Sequence, residues 1–296
     1  MSVKLLKRLA ERNGFTSVLY NLPRLVRGYQ PIFLDYPVHP VPRYGYGKSI
    51  HPEISRILAM GDSRYAALLK SFCTFSSRLL EIPLRDSGDG RSPCWINAWL
   101  DGLDTLALYG IVGLRRPERY IEVGSGFSTR LVRRAIEDLN LPTKITSIDP
   151  KPRAAIDVLC DHLFREPLET LDLSIFSTLD AGDVLFIDSS HRSFMNSDVT
   201  VFFLEILPRL RRGVVIHIHD IYLPCDYLPE RAHWFYSEQY LLAASLLGGH
   251  TNYDILLPNN YVAITPHLSD VLTGFWGNPY LSAVPRTGCS FWIEIR

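Results

Sequence analysis

Apolar positions along the chain switch between helical and strand spacing, and each switch predicts an element. Residues 52–82 repeat at helical spacing. The stretch Cys94 to Gly110, CWINAWLDGLDTLALYG, predicts an amphipathic helix. Short apolar runs then predict strands at Arg119–Val123, Lys144–Ile148, near Phe164–Pro167, Val184–Ile187 and Val214–Ile218. Helical patterns separate them. One has Leu131, Val132, Ala135, Ile136 and Leu139 on one face, and another lies near Ala154–Leu163. A third begins after Ser197, a good cap, and runs to Leu207 before Pro208; a fourth covers about Trp234–Leu247. Two last strands, Tyr253–Leu257 and Ser290–Ile295, flank a long Pro/Gly-rich segment. This alternation predicts an α/β layer structure with a parallel sheet. Residues 29 to about 60 read as extended and irregular, and 83–93, with Pro83, Gly88, Gly90 and Pro93, as a linker. The expected division is an N-terminal, mainly helical or irregular appendage over 1–93 and an α/β domain over 94–296.

Composition narrows the class. With 296 residues, 47% of them hydrophobic, the chain can bury one large core and a smaller appendage. Lys+Arg and Asp+Glu balance at 31 each, so net charge gives no argument for a nucleic-acid partner. The five cysteines (Cys73, Cys94, Cys160, Cys225, Cys289) are scattered and form no C-x-x-C, a reduced intracellular pattern. No run approaches transmembrane length, and the N-terminus lacks the apolar core of a signal peptide, so a cytoplasmic location is expected. Residues 1–28 carry Lys4, Lys7, Arg8, Arg12, Arg24 and Arg27 against Glu11 alone. They read as a helix docked on its own domain with a solvated basic face, or as a basic amphipathic helix touching a membrane surface or acidic partner.

The chemistry concentrates in YIEVGSGFST, Tyr120 to Thr129. A strand leads through Gly124, Ser125 and Gly126 into a helix that Ser128 and Thr129 can cap, so a ligand can lie against the backbone at a helix N-terminus. The dinucleotide fingerprint needs Gly or Ala where this chain has Thr129, and it has no use for Glu122 two residues before the first glycine. An early Glu with a two-glycine turn resembles motif I of class I S-adenosylmethionine (SAM)-dependent methyltransferases. The order of elements from Cys94 to Arg296 resembles their Rossmann-like seven-stranded sheet, whose last two strands pair antiparallel. The resemblance implies that the turn packs on the methionine end of SAM. It also gives Glu122, Gly124, Ser125, Gly126, Ser128, Asp149 and Asp188 as cofactor-binding residues.

In open α/β sheets, ligands bind outside the carboxyl ends of the strands. Acids or histidines stand at four such ends: Glu122, Asp149, Asp188 and the His219–Asp220 pair. Asp149 lies where an acid accepts from both ribose hydroxyls; the plainer reading is a turn residue before Pro150. In FIDSSHRSF, Asp188 ends a strand and His191 follows one turn later. The resemblance is closest to small-molecule O-methyltransferases, which bind a divalent metal with an acid here and a second acid with Asn or Asp after the fifth strand. In GVVIHIHD this chain departs from that pattern, placing His219 where the resemblance implies the acid after the fifth strand and Asp220 where it implies Asn or Asp. Three readings follow. Asp188, His219 and Asp220 hold a metal, of a kind nearer Mn, Fe or Zn than Mg. Alternatively His191 or His219 is a general base tuned by Asp188 or Asp220. In the third, the histidines only shape the loop. His217, deeper in the strand, reads as a core histidine.

Trp95 and Asn97 are candidates to line the cofactor pocket, whereas Trp99 reads as packing the helix on the sheet. The segment IYLPCDYLPERAHWFYSEQY, with Asp226, Glu238 and Gln239, is expected over a small-molecule acceptor. The resulting expectation is methyl transfer from SAM to an acceptor oxygen, with Asp188, His191, His219 and Asp220 on the acceptor side. The alternatives are a SAM-binding module without catalysis, or an N-methyltransferase.

Overall fold

The computed structural model describes residues 22, 23, 26, 32, 35–152, 155–249 and 251–296. The chain divides into two compact units, one of Met1–Pro42 with Leu228–Phe235 and one of Arg43–Tyr227 with Tyr236–Arg296. Apart from residues 22, 23 and 26, the basic stretch 1–28 lies outside the described residues. In the first unit, Pro229–Trp234 forms a tight 3₁₀ turn, with the Arg231 guanidinium 5.0 Å above the Trp234 ring.

The second unit holds the sheet. Its strands are β1 (Arg119–Val123), β2 (Lys144–Ile148), β3 (His162–Phe164), β4 (Val184–Ile187), β5 (Val215–Ile218), β6 (Tyr253–Pro258) and β7 (Phe291–Ile295). Their order is β3-β2-β1-β4-β5-β7-β6. The first five run parallel, and β7 lies antiparallel between β5 and β6. This is the α/β sheet expected from the alternation. The central strand VLFI is buried at every position, as a parallel strand covered on both faces requires. The order reverses between β1 and β4, so the switch point where ligands settle falls at Gly124 and Asp188.

Helices α1 (Pro52–Ala59), α2 (Asp62–Phe72) and α3 (Ser76–Leu80) precede α4 (Gly102–Arg115), and α5 (Phe127–Leu139) follows β1. Ile54, Leu58, Leu69, Phe72 and Leu79 join the same hydrophobic core as the strands, so residues 43–93 fold within the unit that carries the sheet. Gly110 lets α4 meet α2 closely, since a Cβ there would stand 2.2 Å from the Phe72 ring. The α5 stripe Leu131, Val132, Ala135 and Ile136 is buried as its spacing predicts.

Two expected helices are corrected. The helix expected over Cys94–Gly110 begins only at Gly102. Upstream, the Asn97 side chain accepts from the amides of Trp99 (2.9 Å) and Leu100 (2.7 Å) and donates to Cys94 and Leu100 carbonyls, a turn that replaces helical bonding. Trp95 is accordingly wholly buried against Phe275 and Trp276, and Trp99 is 54% exposed rather than packed on the sheet. Near Ala154–Leu163 the described residues form a 3₁₀ turn, Asp157–Leu159, and then β3. Asp161 draws this chain straight alongside β2: its amide donates to the Ile145 carbonyl, and its carboxylate accepts from the Ile145 amide and pairs with Arg133 and Lys144.

The remaining helices are short. Helix α6 (Asp198–Val201) is capped by Ser197 and widens into a π turn over Phe202–Ile206 before Pro208. Helix α7 spans Glu238–Leu247, and the Pro/Gly-rich segment between β6 and β7 winds into α8 (Asn259–Ile264), α9 (Pro266–Ser269) and α10 (Thr273–Trp276). Among the described residues no helix is long and apolar enough to cross a membrane.

Candidate cofactor and acceptor site

The glycine turn is built by mutual necessity with β4. Gly124 has φ +80°, and a Cβ there would stand 1.9 Å from the Asp188 carbonyl oxygen, so no side chain fits. Gly126 differs: a Cβ would meet no atom within 4 Å, so it faces open space at the start of α5. The Gly126 amide donates to Thr129 Oγ1 (3.0 Å), and Thr129 and Ser128 donate in turn to the two carboxylate oxygens of Glu122. Glu122 is fully buried and bonds these side chains, not the turn's backbone. Burial pushes its pKa to about 8, against the lowering effect of the Thr129 and Ser128 hydroxyls.

That shift has a sign. The folded state keeps the Glu122 proton to about pH 8, whereas an unfolded glutamate loses it near its ordinary value of 4.5. Stability is therefore expected to fall as pH rises between those values and to level off above them, by a few kcal/mol at most on the order-of-magnitude scale of such linkage. Denaturation midpoints of Glu122→Gln should show a flatter dependence across this window. Parallel curves for parent and variant would remove the assignment.

Asp149 follows β2. It accepts from the Ser125 amide (2.9 Å) through Oδ2 and from the Lys151 amide (2.8 Å) through Oδ1, tying the ribose candidate to the glycine turn. Ser125 and Ser147 share a hydroxyl bond of 2.5 Å, and Arg165 reaches Ser147 Oγ and the Asp149 carbonyl. Arg130, on the first turns of α5, is mostly buried at 13% exposure. Its nearest acid is Asp86 at 3.7 Å, and its Nε has no protein partner.

At the ends of β4 and β5 the acidic residues gather around one imidazole. His191 Nε2 lies 3.2 Å from Asp188 Oδ1 and 3.7 Å from Asp220 Oδ2, while Nδ1 lies 2.8 Å from Glu238 Oε2. The ring packs on Tyr236, centroids 4.6 Å apart. Burial works to lower the His191 pKa, but Asp188 and Glu238 raise it well above the ordinary histidine value, favouring the protonated ring. Asp188 is the open member of the group, its side chain 38% exposed. Burial works to raise its pKa, yet His219 and His191 hold it below the usual value. Tyr227 packs edge-on to Tyr222, Tyr236 and Tyr240, an aromatic wall beside His191.

His219 points elsewhere. Side chains alternate along a strand, so it shares a face with His217, their rings 5.5 Å apart, and its Nε2 reaches the Trp99 carbonyl at 3.2 Å. Burial opposes its protonation, but Asp188, Asp220 and Asp104 raise its pKa. Its Nδ1 is buried without a protein partner. Asp220, at φ +53°, reaches toward His191 and accepts from the Tyr222 hydroxyl (3.0 Å), and its Oδ1 also lies 3.5 Å from the Cys289 thiol, itself 3.8 Å from His219 Nε2. His217 is a core histidine bonded to Ser290, with burial pushing its pKa well down.

The ligand atoms of the expected metal set, Asp188, His219 and Asp220, do not all lie within 4.8 Å of one another. Among the described residues the metal-ligating side chains that do converge are Asp104, His219 and Cys289, whose ligand atoms lie within 4.8 Å of one another. Asp104 there already accepts from the amides of Cys289 and Ser290 and from Asn259 (2.7 Å), anchoring the start of β7 to α4. This donor set does not fit the ion implied for Asp188.

Sequence reading missed the role of Glu238, placed only among candidate acceptor contacts, because the pairing with His191 spans 47 positions. It also missed Arg130, Ser147 and Arg165. Asp226 is spent bracing the Arg43 and Tyr44 amides, and Gln239 accepts from the Tyr222 amide.

Residues 121–221 match a family model described as a methyltransferase domain. The match runs from β1 past β5 and includes the glycine turn, Asp149, Asp188, His191, His219 and Asp220. Over those residues the chain is similar to a methyltransferase domain, and the seven-stranded order is the one that resemblance leads one to expect. No curated protein matches the chain. Similar solved structures include cofactor-bound Rv0187 from MTB, 15% identical, covering 78% of this chain and 90% of that one, with a TM-score of 0.40. Another is an O-methyltransferase from Bacillus cereus in complex with SAH, 13% identical, covering 77% and 90%, with a TM-score of 0.37. A third is the SAH-bound Podospora anserina methyltransferase PaMTH1, 12% identical, covering 86% and 100%, with a TM-score of 0.41.

Proposed function

We propose that the protein methylates a hydroxyl oxygen of a small-molecule acceptor, with SAM held over the glycine turn and the acceptor oxygen hydrogen-bonded to Asp188. The observation that carries this reading is the open Asp188 carboxylate at the switch point, backed by His191 at 3.2 Å. On the cofactor side, Gly124, Ser125 and Gly126 offer backbone to the methionine end, and the buried Glu122–Ser128 pair positions the turn. Asp149 has lone pairs left for the ribose hydroxyls, and the Arg130 guanidinium is a donor for the cofactor carboxylate. Residues 94–296 would carry this machinery and 1–93 the appendage, of which 43–93 adds core helices.

Methyl transfer is an in-line displacement from a sulfonium, so alignment supplies much of the rate. As the carbon–oxygen bond forms, the hydroxyl proton becomes strongly acidic, and even a weakly basic carboxylate can take it. The proton therefore goes to Asp188, whose anionic form His219 and His191 favour. His219, Asp220 and the aromatic wall shape the acceptor side. Oxygen is favoured over nitrogen because several buried carboxylates would hold an amine as ammonium, without its nucleophilic lone pair. The free thiols fit a reducing, cytoplasmic compartment.

Calorimetry with SAM on two variants tests the map. Asp149→Ala is expected to weaken binding by roughly 30-fold or more, the scale of lost charged hydrogen bonds. Asp220→Ala should stay within about threefold of the parent, as expected for a group that leaves cofactor contacts untouched. Equal affinities in all three proteins would refute the site. Mass spectrometry of products from hydroxylated and amine panels decides O- against N-methylation.

A further inference from the structure

We propose that His191 is the resident cation of the acceptor site, holding the place between Asp188 and Asp220 that a divalent metal would otherwise fill. The inference rests on the methyltransferase reading, and it follows from where the ring is rather than from any resemblance. Two carboxylates at neighbouring strand ends repel unless a positive charge stands between them. His191 Nε2 stands there, 3.2 Å from one and 3.7 Å from the other, while Glu238 grips Nδ1 from the start of α7 at 2.8 Å.

The backbone is shaped to deliver this ring. His191 sits at φ +60°, a left-handed conformation for a buried residue, and its carbonyl accepts from the Ser237 (2.8 Å) and Glu238 amides. Asp220 at φ +53° turns to meet it. The spacing also suits a shared proton donor better than an ion. Asp188, His191 and Asp220 do not form a group whose ligand atoms all lie within 4.8 Å. An ion of Mg, Mn or Zn size reaches oxygens at roughly 2.0–2.2 Å, so it spans at most about 4.4 Å between two of them. An imidazolium bridges a wider gap, because each of its hydrogen bonds is longer than a metal–oxygen bond. The groups that face the ring are Asp188 from β4, Asp220 from β5, and Glu238 and Tyr236 at the start of α7, with His219 acting electrostatically from behind Asp188 and Asp220.

The test is a Mn²⁺ titration read by electron paramagnetic resonance on the full chain loaded with SAH. The parent, His191→Ala and the double variant His191→Ala/Asp220→Asn are compared. The parent should bind no Mn²⁺ tightly. His191→Ala, its carboxylates left without their cation and free to draw together around an ion, should bind Mn²⁺ at least about tenfold more tightly than the parent. The double variant should lose that gain. Stoichiometric Mn²⁺ on the parent, or no gain in a folded His191→Ala, overturns the proposal. If melting curves show that His191→Ala does not fold, the parent titration decides alone: tight Mn²⁺ overturns the proposal, its absence supports it. Failure of the parent to bind SAH would instead sink the methyltransferase reading and is seen separately in the same samples by calorimetry.

Discussion

Gly124→Ala is expected to abolish SAM binding and to destabilise the protein by about 3 kcal/mol or more, the sum of a left-handed residue forced onto alanine and a clash in a packed joint. The cause is local and double. The residue sits at φ +80°, and its new methyl would fall 1.9 Å from the Asp188 carbonyl. Either β1 or β4 must move, and both carry the site. Urea denaturation and calorimetry with SAM read the two effects. Gly126→Ala is the contrasting variant. Its methyl meets no protein atom within 4 Å, so stability should change by less than about 1 kcal/mol, as at sites without packing loss. SAM affinity should nevertheless fall by roughly tenfold if the cofactor lies against this turn. A stable Gly126→Ala with unchanged affinity would place the cofactor elsewhere.

Asp188→Asn is the second large effect. The amide keeps the shape of the side chain but cannot take the acceptor proton, so kcat should drop by about 10³, within the usual range for a lost acid–base group. SAM affinity should change by no more than about tenfold, the difference one contact makes. The pH profile separates this from a histidine base. The Asp188 pKa lies below the ordinary 3.8 despite the opposing effect of burial, because His219 and His191 favour the anion. Its function is present above that pKa and lost only as pH falls through it, so no acid limb should appear between pH 5 and 8. A rate that climbs with pH through that window would return the base to a histidine.

The strands were largely legible in the sequence. β1, β2 and β4 fall on the expected residues, because a buried parallel strand is a short continuous apolar run bounded by polar turns. The helix over Cys94–Gly110 was misplaced because one side chain, Asn97, captures the backbone bonds that helical spacing assumes. Asp161 does the same work near β3 by tying its segment to β2. Hydrophobic period cannot register either event, since each is a polar side chain choosing a backbone partner.

The candidate site divides in a similar way. Glu122, the glycine turn, Asp149, Asp188 and the His219–Asp220 pair are local signals, each written within a few residues of a strand end, and the sequence determined that they would gather at one edge of the sheet. The order of elements around that edge also carried the resemblance to a methyltransferase domain, which a family model matches over residues 121–221. Which side chains meet was decided only in three dimensions. Alternation along β5 and the left-handed turn at Asp220 send His219 toward Trp99 and Asp220 toward His191. Glu238, 47 positions from His191, then closes the cluster. Strand periodicity fixes faces but not partners, and charge depends on partners. The tertiary fold thus raised the pKa of both candidate bases and left Asp188 as the open carboxylate.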